Sequence, residues 1–449
     1  MMEGMIGLEI HTYLVTKEKL FCKCAAKREK GLTPNSFICE ICTGQPGAKP
    51  MLPNKSAVEK AVKIALMLGC KVNEKMTWQR KHYSWPDLPK GYQNTLSGPY
   101  AVPVGSNGKF LGIGIWEMHL EEDPAAWDPE TGRVDYNRSG LPLVEIVTAP
   151  DFSTSEEVKD WLGKLLHYLR YLKCVSSDAG IKVDVNVSIK DGARVEIKNV
   201  NSVDSIVKAI EFEFERQKRE GSVQETRRYD AVKGKTIVMR SKENAEDYRF
   251  ISDPDLKDII LDKKFISEIE KKMPESPDEK LEKLIKKYKI GKNDADVLAK
   301  HLEIVEFFEE VAKKIESDFA LHWITVELLR HLNYNKTSLD NVDISVGDFV
   351  KLLEMVKSGR ITELQGKEVL NKFYPASFDP THEVREKISD SGKLESVCRD
   401  VIAHEKDAVS KYKSGDEKVL NYLIGQVMRK TEKRADFKVV KKVIEKLLK

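Results

Sequence analysis

Hydrophobic and polar positions alternate with a period of two along much of the chain up to about residue 260. Short β-branched runs bounded by Gly, Pro, Asn and Asp are typical of strands in a mostly antiparallel sheet. The runs are FLGIGIWEMHL, LPLVEIVTA, IKVDVNVSI, RVEIKNV and KTIVMR. Helical periods interrupt them at SAVEKAVKIALMLG, SEEVKDWLGKLLHYLRYL and SVDSIVKAIEFEFERQKREG, the last with Ser202 as N-cap and Gly221 at its end. This pattern predicts an α+β fold.

Beyond about residue 260 the pattern becomes helical and rich in lysine, with breaks at Pro274 and Pro277 and again around FYPASFDPTHE. We predict an α+β domain over 1–262, a helical domain over 263–378 and a small helical tail domain over 379–449. The closing segment DFKVVKKVIEKLLK should bury one apolar face, formed by Val439, Val440, Val443, Ile444, Leu447 and Leu448. Residues 429–449 hold nine basic and three acidic side chains. Their basic face fits either a solvated helix or a contact with phosphates.

The net charge and the hydropathy of the chain limit how it can bind nucleic acid or a membrane. The chain has 449 residues, of which 41% are hydrophobic and 33% charged, and its net charge is only +3. Any contact with nucleic acid must therefore use local basic patches instead of a global field. The start has no basic region followed by a long apolar run, and no window has the eighteen or so apolar residues of a membrane span. We therefore expect a cytoplasmic protein without a secretory signal or membrane segment.

Four of the seven cysteines stand near the start in two close pairs. Cys22 and Cys24 are followed, after fourteen residues, by Cys39 and Cys42. This is the spacing of a four-thiolate zinc knuckle, in which Zn–S bonds are about 2.3 Å long and no coordination position stays open. The pattern predicts a structural zinc site, and four free cysteines in loops are the alternative. The remaining cysteines stand alone in apolar stretches and are predicted to be core residues: Cys70, Cys174 and Cys398.

Carboxylates recur on the polar sides of the predicted strands. In GLEIH, Glu9 and His11 share one strand face while Leu8 and Ile10 share the other. One such strand is most simply a solvated sheet face, but HLEED, VDVNVSI and RVEIKNVNS repeat the pattern. Carboxylates held on adjacent strands would supply the oxygen ligands that Mg²⁺ prefers. The polar candidates on these three strands are Glu121, Glu122, Asp184, Asn186, Ser188, Arg194, Glu196 and Lys198.

One loop fits two different roles, and two common catalytic motifs are absent from the sequence. The segment RKHYSWPDLPKGYQ mixes basic and aromatic residues, so it fits either a base-stacking loop or a packed Ω-loop. The segment KGKTIV lacks the first glycine of a P-loop, because Tyr229 stands at that position. There is also no G-x-S-x-G elbow. Any use of ATP must therefore rely on acidic strands without a Walker motif.

In its ordered motifs the sequence resembles GatB, the B subunit of the tRNA-dependent amidotransferases, and its archaeal relative GatE. The motifs are GLEIHTYLVTKEKLFCKC, KHYSWPDLPKGYQ, HLEEDP, VDYNRSGLPLVEIVTAPD, VDVNVSI, EIKNVNS, QETRRYD and EDYRFISDPDL. They cover residues 5–256 densely. Looser matches at MPESPDEK and YLIGQVMRKT extend the resemblance into the family's helical and YqeY-like tail regions.

The resemblance implies a ligase that works in a heterotrimer with the A and C subunits of the amidotransferase. The A subunit, a glutaminase, would release ammonia from glutamine. The B subunit would use ATP and Mg²⁺ to phosphorylate the side-chain carboxylate of misacylated Glu-tRNA(Gln) or Asp-tRNA(Asn), and ammonia would then displace phosphate. The tail domain would contact the tRNA.

The resemblance also implies roles for individual residues. The catalytic set is Glu9, His11, Glu121, Glu122, Asp184, Glu196 and Lys198. Within it, the magnesium ligands are His11, Glu122, Asp184 and Glu196. The nucleotide cradle is lined by Lys81, Tyr83, Tyr92, Tyr136, Asn137, Arg138 and Arg227. Cys22, Cys24, Cys39 and Cys42 match a zinc site that some members carry.

Two features bear on alternatives within this resemblance. Lys182 stands where the family usually has arginine, and lysine lacks arginine's bidentate fork. GatE chains carry an additional synthetase-like insertion, for which the uninterrupted helical half of this chain has no room, so GatB is favoured. The alternatives are a GatE-like protein and a non-catalytic tRNA-binding scaffold.

Overall fold

The computed structural model describes residues 4–29, 31–175, 180–240, 248–383, 388, 391–416 and 418–448. Glu246 and Asp247 of the motif EDYRFISDPDL therefore lie outside the described residues. The strands are β1 (Gly4–Tyr13), β2 (Lys71–Val72), β3 (Lys75–Met76), β4 (Gln79–Lys81), β5 (Gln93–Thr95), β6 (Gly105–Phe110), β7 (Ile113–Glu122), β8 (Ala126–Trp127), β9 (Val134–Asp135), β10 (Pro142–Thr148), β11 (Ile181–Ile189), β12 (Val195–Val200), β13 (Glu225–Asp230), β14 (Lys235–Arg240), β15 (Ile251–Ser252) and β16 (Ile259–Ile260).

Three helices lie between strands in the first part of the chain, and from Lys263 onward the described elements are helices. The α-helices are α1 (Lys55–Met67), α2 (Ser155–Tyr171), α3 (Val203–Glu220), α4 (Lys263–Lys271), α5 (Pro277–Tyr288), α6 (Lys292–Ala299), α7 (Leu302–Ala312), α8 (Ser317–His322), α9 (Leu329–Tyr334), α10 (Val346–Lys357), α11 (Glu363–Asn371), α12 (Ser391–His404), α13 (Lys406–Lys413), α14 (Val419–Lys430) and α15 (Phe437–Leu448). A π-helical segment, Trp323–Leu328, joins α8 to α9. The fold is therefore α+β, as predicted.

Twelve strands of the described chain form one sheet. Its order is β14-β13-β12-β11-β1-β10-β7-β5-β4-β15, and β6 and β2 continue from β7. The neighbours along it are antiparallel except for β12 and β13, which are parallel. One face of the sheet packs against the helices, since Leu8, Ile10 and Val185 share a buried core with residues of α1, α2 and α3. Strand alternation therefore turns Glu9, His11 and the other polar side chains to the opposite face.

Local sequence signals explain where these elements begin and end. Ser202 caps α3 by accepting a hydrogen bond from the Ser205 amide, and Gly221 ends the helix with a φ of 72°. Both predicted boundaries are confirmed. The run FLGIGIWEMHL is not one strand, because Leu111 and Gly112 form a turn with φ values of 49° and 89°. That turn separates β6 from β7 and lets the two strands pair in a hairpin.

The described residues divide into two compact units, Met1–Ser276 and Pro277–Lys449. Helix α4 belongs to the first, where Ile269 is part of the core beneath the sheet. The second unit is helical and holds two hydrophobic clusters, one built from residues between 284 and 373 and one from residues between 394 and 448. The three-domain division with boundaries at 262/263 and 378/379 stays a prediction.

The last helix follows its predicted pattern in part. Val440, Ile444 and Leu448 of α15 are buried, whereas Val439 is 44% exposed. Among the described helices, none is long and apolar enough to cross a membrane.

Candidate active site

The polar face of the sheet is organised by the register of β1. Glu9 lies directly opposite Asp184 of β11, and His11 lies opposite Glu145 of β10. Glu145 in turn lies opposite His119 of β7. Residues opposite each other in adjacent strands share a face, so the register brings these side chains together.

His11, Glu121 and Glu145 form the first group, called here the histidine–carboxylate cluster. The ligand atoms of the three side chains all lie within 4.8 Å of one another. His11 Nε2 lies 3.5 Å from Glu145 Oε1 and 3.9 Å from Glu121 Oε2. The Glu121 and Glu145 side chains are only 5% and 11% exposed, so both carboxylates are largely removed from water.

Glu145 is held by a buried histidine. His119 Nδ1 lies 2.8 Å from Glu145 Oε2, and His119 Nε2 lies 2.9 Å from Glu117 Oε2. Burial alone would lower the pKa of His119, but the hydrogen bonds to Glu117 and Glu145 raise that pKa to about 10. Burial would likewise raise the pKa of Glu145, yet the hydrogen bond from His119 and the nearby charge of His11 hold that pKa well below its usual range. Glu145 is therefore an ionised carboxylate inside the protein.

Glu121 is fixed from the short strand β5. Thr95 donates its hydroxyl to Glu121 Oε1 at 2.5 Å, and Gln93 donates its amide to Glu121 Oε2 at 3.2 Å. Each carboxylate oxygen thus has a neutral donor, while the negative charge stays uncompensated by these partners. Such neutral support orients a carboxylate and leaves its charge available for a cation.

The donor set fits a hard divalent cation. It comprises two carboxylates, which are the ligands that Mg²⁺ and Mn²⁺ prefer, and one imidazole nitrogen, which is an unusual ligand for Mg²⁺. Ligands of an octahedral ion with bonds of about 2.1 Å lie about 3.0 Å apart when adjacent and about 4.2 Å apart when opposite. The separations of 3.5 and 3.9 Å fall within that range.

Glu9, Asp184 and Glu196 form a second group on the same face, called here the lysine-bridged cluster because Lys198 lies within it. Lys198 Nζ is 2.9 Å from Asp184 Oδ2 and 2.6 Å from Glu196 Oε1. Asn186 donates its amide to Glu9 Oε1 at 3.1 Å. The ligand atoms of the three carboxylates also lie within 4.8 Å of one another.

A β-bulge in β12 lies directly beside Lys198. The pairing of β11 with β12 jumps from Val185–Ile197 to Val183–Val200, which leaves one additional residue on β12. Asn199 is that additional residue; it has a φ of 60°, and its backbone N–H donates to Asp184 Oδ1 at 2.7 Å. Burial would raise the pKa of Asp184, but the charge of Lys198 outweighs burial and lowers it. The pKa of Glu9 is raised, first by burial and then by the charge of Glu145.

Glu122, predicted as a magnesium ligand, is not brought to either cluster. It follows Glu121 directly on β7, so its side chain turns to the other face of the sheet. There its carboxylate pairs with Lys90 and accepts a hydrogen bond from the backbone N–H of Asn94 at 3.1 Å. Glu145, and not Glu122, lies beside His11, and the identity of the magnesium ligands stays a prediction.

Arg227, predicted for the nucleotide cradle, also lies on the helix-covered face. It stands opposite Ile197 of β12, a core residue, whereas Thr226 stands opposite Glu196. Arg227 Nε lies 3.1 Å from Glu213 Oε1 of α3, and Arg227 donates to the Thr236 hydroxyl at 2.8 Å. Arg227 therefore neutralises a buried glutamate beneath the sheet, and its role in a nucleotide cradle stays a prediction.

The basic and aromatic loop near residues 81–92 follows β4 and leads into β5. Lys81 Nζ is 4.6 Å from the ring centre of Tyr248, and Tyr83 meets the same ring edge-on at 6.4 Å. The Tyr92 ring is covered by the Arg80 guanidinium at 4.1 Å. Trp85 packs edge-on against Trp127 at 5.4 Å and stays 56% exposed. The loop is therefore packed, while base stacking by this loop stays a prediction.

The segment 134–140 carries the remaining cradle residues. Asn137 accepts the Phe37 amide at 2.8 Å and donates to the Thr33 carbonyl at 2.8 Å, so its side chain is occupied in holding the cysteine loop. Tyr136 is fixed through its carbonyl, which accepts from Lys19 at 3.1 Å. Arg138 lies 3.0 Å from Asp123, the residue that directly follows β7.

Asp123, the last residue of the motif HLEED, is a further acidic residue near the site that was not among the predicted site residues. Tyr13 donates its hydroxyl to Asp123 Oδ2 at 2.5 Å, and Arg138 Nε lies 3.0 Å from the same oxygen. Burial raises the pKa of Asp123 to about 6, although Arg138 and Tyr13 act against the rise.

The four paired cysteines come together as predicted. Cys22, Cys24, Cys39 and Cys42 place their sulfurs within 4.8 Å of one another, and Cys39 Sγ lies 3.9 Å from Cys42 Sγ. Sulfurs around a tetrahedral zinc ion with bonds of about 2.3 Å are about 3.8 Å apart. The hydrogen bond between Cys22 and Cys42 lowers the pKa of Cys42 and raises that of Cys22. Cys70, Cys174 and Cys398 are buried, as predicted.

Sequence reasoning missed Glu145, His119, Gln93 and Thr95. Strand alternation contained a signal for the first two. Glu145 is the one charged residue in the apolar run LPLVEIVTA, and His119 stands two residues before Glu121, so both side chains lie on the same face of the strand. No local pattern marks Gln93 or Thr95, since their role follows only from the pairing of β5 with β7.

Comparison with known proteins agrees with this architecture. Residues 4–267 match the family described as the GatB/GatE catalytic domain, and residues 306–448 match the family described as the GatB domain. The chain is 43% identical to the B subunit of aspartyl/glutamyl-tRNA(Asn/Gln) amidotransferase from Methanocaldococcus jannaschii, over 98% of this chain and 96% of that protein.

Two further relatives carry the same name. The protein of Methanopyrus kandleri is 41% identical over 100% of this chain and 99% of its own length. That of Methanothermobacter thermautotrophicus is 41% identical over 96% of this chain and 97% of its own length. The chain therefore belongs to the GatB family, the B subunits of the aspartyl/glutamyl-tRNA(Asn/Gln) amidotransferases.

Proposed function

We propose that this chain is the component of a tRNA-dependent amidotransferase that activates and amidates a misacylated aminoacyl-tRNA. Its substrates would be Glu-tRNA(Gln), Asp-tRNA(Asn) or both, with ATP as phosphoryl donor and Mg²⁺ as the metal. It would act in the cytoplasm in a heterotrimer with the A and C subunits, and the A subunit would supply ammonia from glutamine. Family membership supports the reaction class, and the site residues support the assignment of the metal.

The observation that carries the proposal is the histidine–carboxylate cluster. His11, Glu121 and Glu145 turn three ligand atoms toward one point on the polar face of the sheet. His119 compensates the buried Glu145, whereas the buried Glu121 carboxylate receives hydrogen bonds only from the neutral Gln93 and Thr95, which leaves its charge for a cation. The second oxygens of the two carboxylates are held by hydrogen bonds, so the arrangement is preorganised for a metal ion.

The chemistry needs such a site because a carboxylate is a poor acyl donor. A side-chain carboxylate oxygen of the aminoacyl group would attack the γ-phosphorus of ATP, the bond to the bridging β–γ oxygen would break, and ADP would leave. Ammonia would then attack the acyl carbon, the bond to the phosphate oxygen would break, and phosphate would leave with loss of one proton. A bound Mg²⁺ would neutralise phosphate charge.

The remaining residues fit supporting tasks around that step. Lys198 holds Asp184 and Glu196 and carries a positive charge on the polar face, and Glu9 shares that face with His11 two residues along β1. Lys81, Tyr83, Tyr136 and Arg138 line the surrounding loops and would contact the nucleotide or the aminoacyl end. The four cysteines would hold a structural zinc ion, which would fix the loop between the two cysteine pairs. Asn137 attaches that loop to segment 134–140 through hydrogen bonds to Phe37 and Thr33.

A reconstituted assay tests the proposal. The chain is combined with its A and C subunits, glutamine, ATP, Mg²⁺ and each misacylated tRNA in turn. We expect Glu145→Gln to abolish transamidation while glutamine hydrolysis by the A subunit continues. Glu215→Gln, which alters an exposed glutamate of α3, serves as the matched control and should retain both activities. Retention of transamidation by Glu145→Gln would refute the assignment of the site.

The alternatives receive no additional support. The second domain match is to the GatB domain and the relatives above are named as B subunits, so nothing favours a GatE-like protein. The two acidic clusters argue against a scaffold without catalysis. The same assay separates them, because a scaffold would bind misacylated tRNA without converting it.

A further inference from the structure

His119 is a buried residue of β7 that lies beside the histidine–carboxylate cluster. Its side chain is 2% exposed and it lies between two carboxylates on β7 and β10. Nδ1 faces Glu145 Oε2 at 2.8 Å, and Nε2 faces Glu117 Oε2 at 2.9 Å. The Glu117 side chain is 51% exposed, so the three residues connect the cluster to the surface.

The direction of these hydrogen bonds follows from the partners. An ionised carboxylate only accepts, so each nitrogen of His119 donates. The bond to Oε2 of Glu145 occupies one carboxylate oxygen and leaves Oε1 facing His11 Nε2 at 3.5 Å. His119 stands directly opposite Glu145 in the sheet register, so backbone pairing fixes the distance between the two side chains.

We propose that His119 is a positioning residue that makes Glu145 a one-oxygen ligand and thereby selects a small octahedral cation over Ca²⁺. The inference rests on the proposed metal site of His11, Glu121 and Glu145. Mg²⁺ and Mn²⁺ take single carboxylate oxygens in near-octahedral sites, whereas Ca²⁺ accepts bidentate carboxylates and six to eight ligands. The hydrogen bond from His119 competes with a metal ion for Oε2 and so disfavours bidentate binding through Glu145.

The geometry supplies a matched pair of variants. The amide nitrogen of asparagine superimposes on histidine Nδ1, so His119→Asn keeps a donor toward Glu145. The amide nitrogen of glutamine superimposes on histidine Nε2, so His119→Gln keeps a donor toward Glu117 and loses the one toward Glu145. Both variants are polar and uncharged, so they differ mainly in which carboxylate they contact.

The test is a titration of the full-length chain with Mn²⁺, followed by electron paramagnetic resonance, with the cysteine site saturated with Zn²⁺. Bound Mn²⁺ is then competed with Mg²⁺ and with Ca²⁺. Loss of an outer hydrogen bond to a ligand typically weakens metal binding about 10- to 100-fold. Relative to His119→Asn, which has the same charge, we expect His119→Gln to lose affinity for Mn²⁺ by about that factor and to prefer Mg²⁺ over Ca²⁺ less strongly. Thermal unfolding confirms that the variants are folded.

The outcomes are distinguishable. If wild type binds Mn²⁺, Glu145→Gln abolishes binding and His119→Gln binds as wild type does, the positioning role is refuted and the metal site stands. Equal weakening in His119→Asn and His119→Gln also refutes it, because a general structural role would not distinguish the two donors. If wild type and Glu145→Gln bind Mn²⁺ equally, both the metal site and the inference fail.

Discussion

Arg227 provides a sharp test of the sheet topology, because the sequence motif and the structure assign it different roles. The structure places it beneath the sheet beside Glu213, which is fully buried. Arg227 donates to the Thr236 hydroxyl at 2.8 Å and to the Thr236 carbonyl at 3.1 Å, and it lies 2.8 Å from Glu225. We therefore expect Arg227→Met to lower stability and leave nucleotide binding to the folded protein unchanged.

The magnitude follows from what the substitution leaves behind. Removing one partner of a buried ion pair costs about 3–5 kcal/mol, because the remaining charge is uncompensated. Arg216 still contacts Glu213 at 2.8 Å, so the lower end of about 3 kcal/mol applies. At about 2–4 °C per kcal/mol for a unit of this size, the unfolding temperature should fall by about 6–12 °C.

Differential scanning calorimetry measures this fall. Arg228→Met is the matched control, since Arg228 is the next residue on β13 and is exposed, and its unfolding temperature should change by less than about 2 °C. Replacing Glu213 with Gln in the Arg227→Met background should recover part of the loss by removing the orphaned charge. The structural role of Arg227 is refuted if Arg227→Met unfolds at the wild-type temperature and instead raises the KM for ATP.

Three further predictions concern the cysteine loop and the helical unit. Cys39→Ser should remove about one zinc ion per chain, seen by metal analysis, whereas Cys398→Ser should retain it. Asn137→Ala should cost about 1–3 kcal/mol, because the Phe37 amide loses its acceptor, and limited proteolysis should then cut the cysteine loop faster than in wild type. Burial would raise the pKa of Glu327, but Lys367 and Arg330 outweigh burial and lower it below its ordinary 4.5. Its contribution to stability is therefore present above pH 4.5 and lost as pH falls through the lowered value, so Glu327→Gln should weaken the acid dependence of unfolding. Unchanged zinc content, an unchanged cleavage rate or an unchanged pH profile would contradict the respective prediction.

The strand faces could be predicted from the sequence because alternation is a local property. Leu8 and Ile10 are buried and Glu9 and His11 face the site, as the pattern indicated. The same holds for Asp184 and Glu196 against their valine and isoleucine neighbours. Cysteine spacing was likewise sufficient to gather four sulfurs, since both pairs lie within one short segment.

What could not be predicted depends on register and on which strands are neighbours. Glu145 joins His11 because β10 pairs with β1 in one register, and a shift of one residue would turn it into the core. Arg227 and Arg228 are neighbours on β13, so their side chains point to opposite faces of the sheet, and the local sequence does not indicate which of the two faces the helices. Glu121 and Glu122 pose the same question, which strand alternation answers only once the buried face of β7 is known.

The most direct measurement of the proposed metal site is an anomalous difference map at the manganese edge from crystals of the chain soaked with Mn²⁺. We predict a peak bonded to His11 Nε2 and to one oxygen each of Glu121 and Glu145. A peak at Glu122, or density at the cysteines without any at His11, would contradict the site.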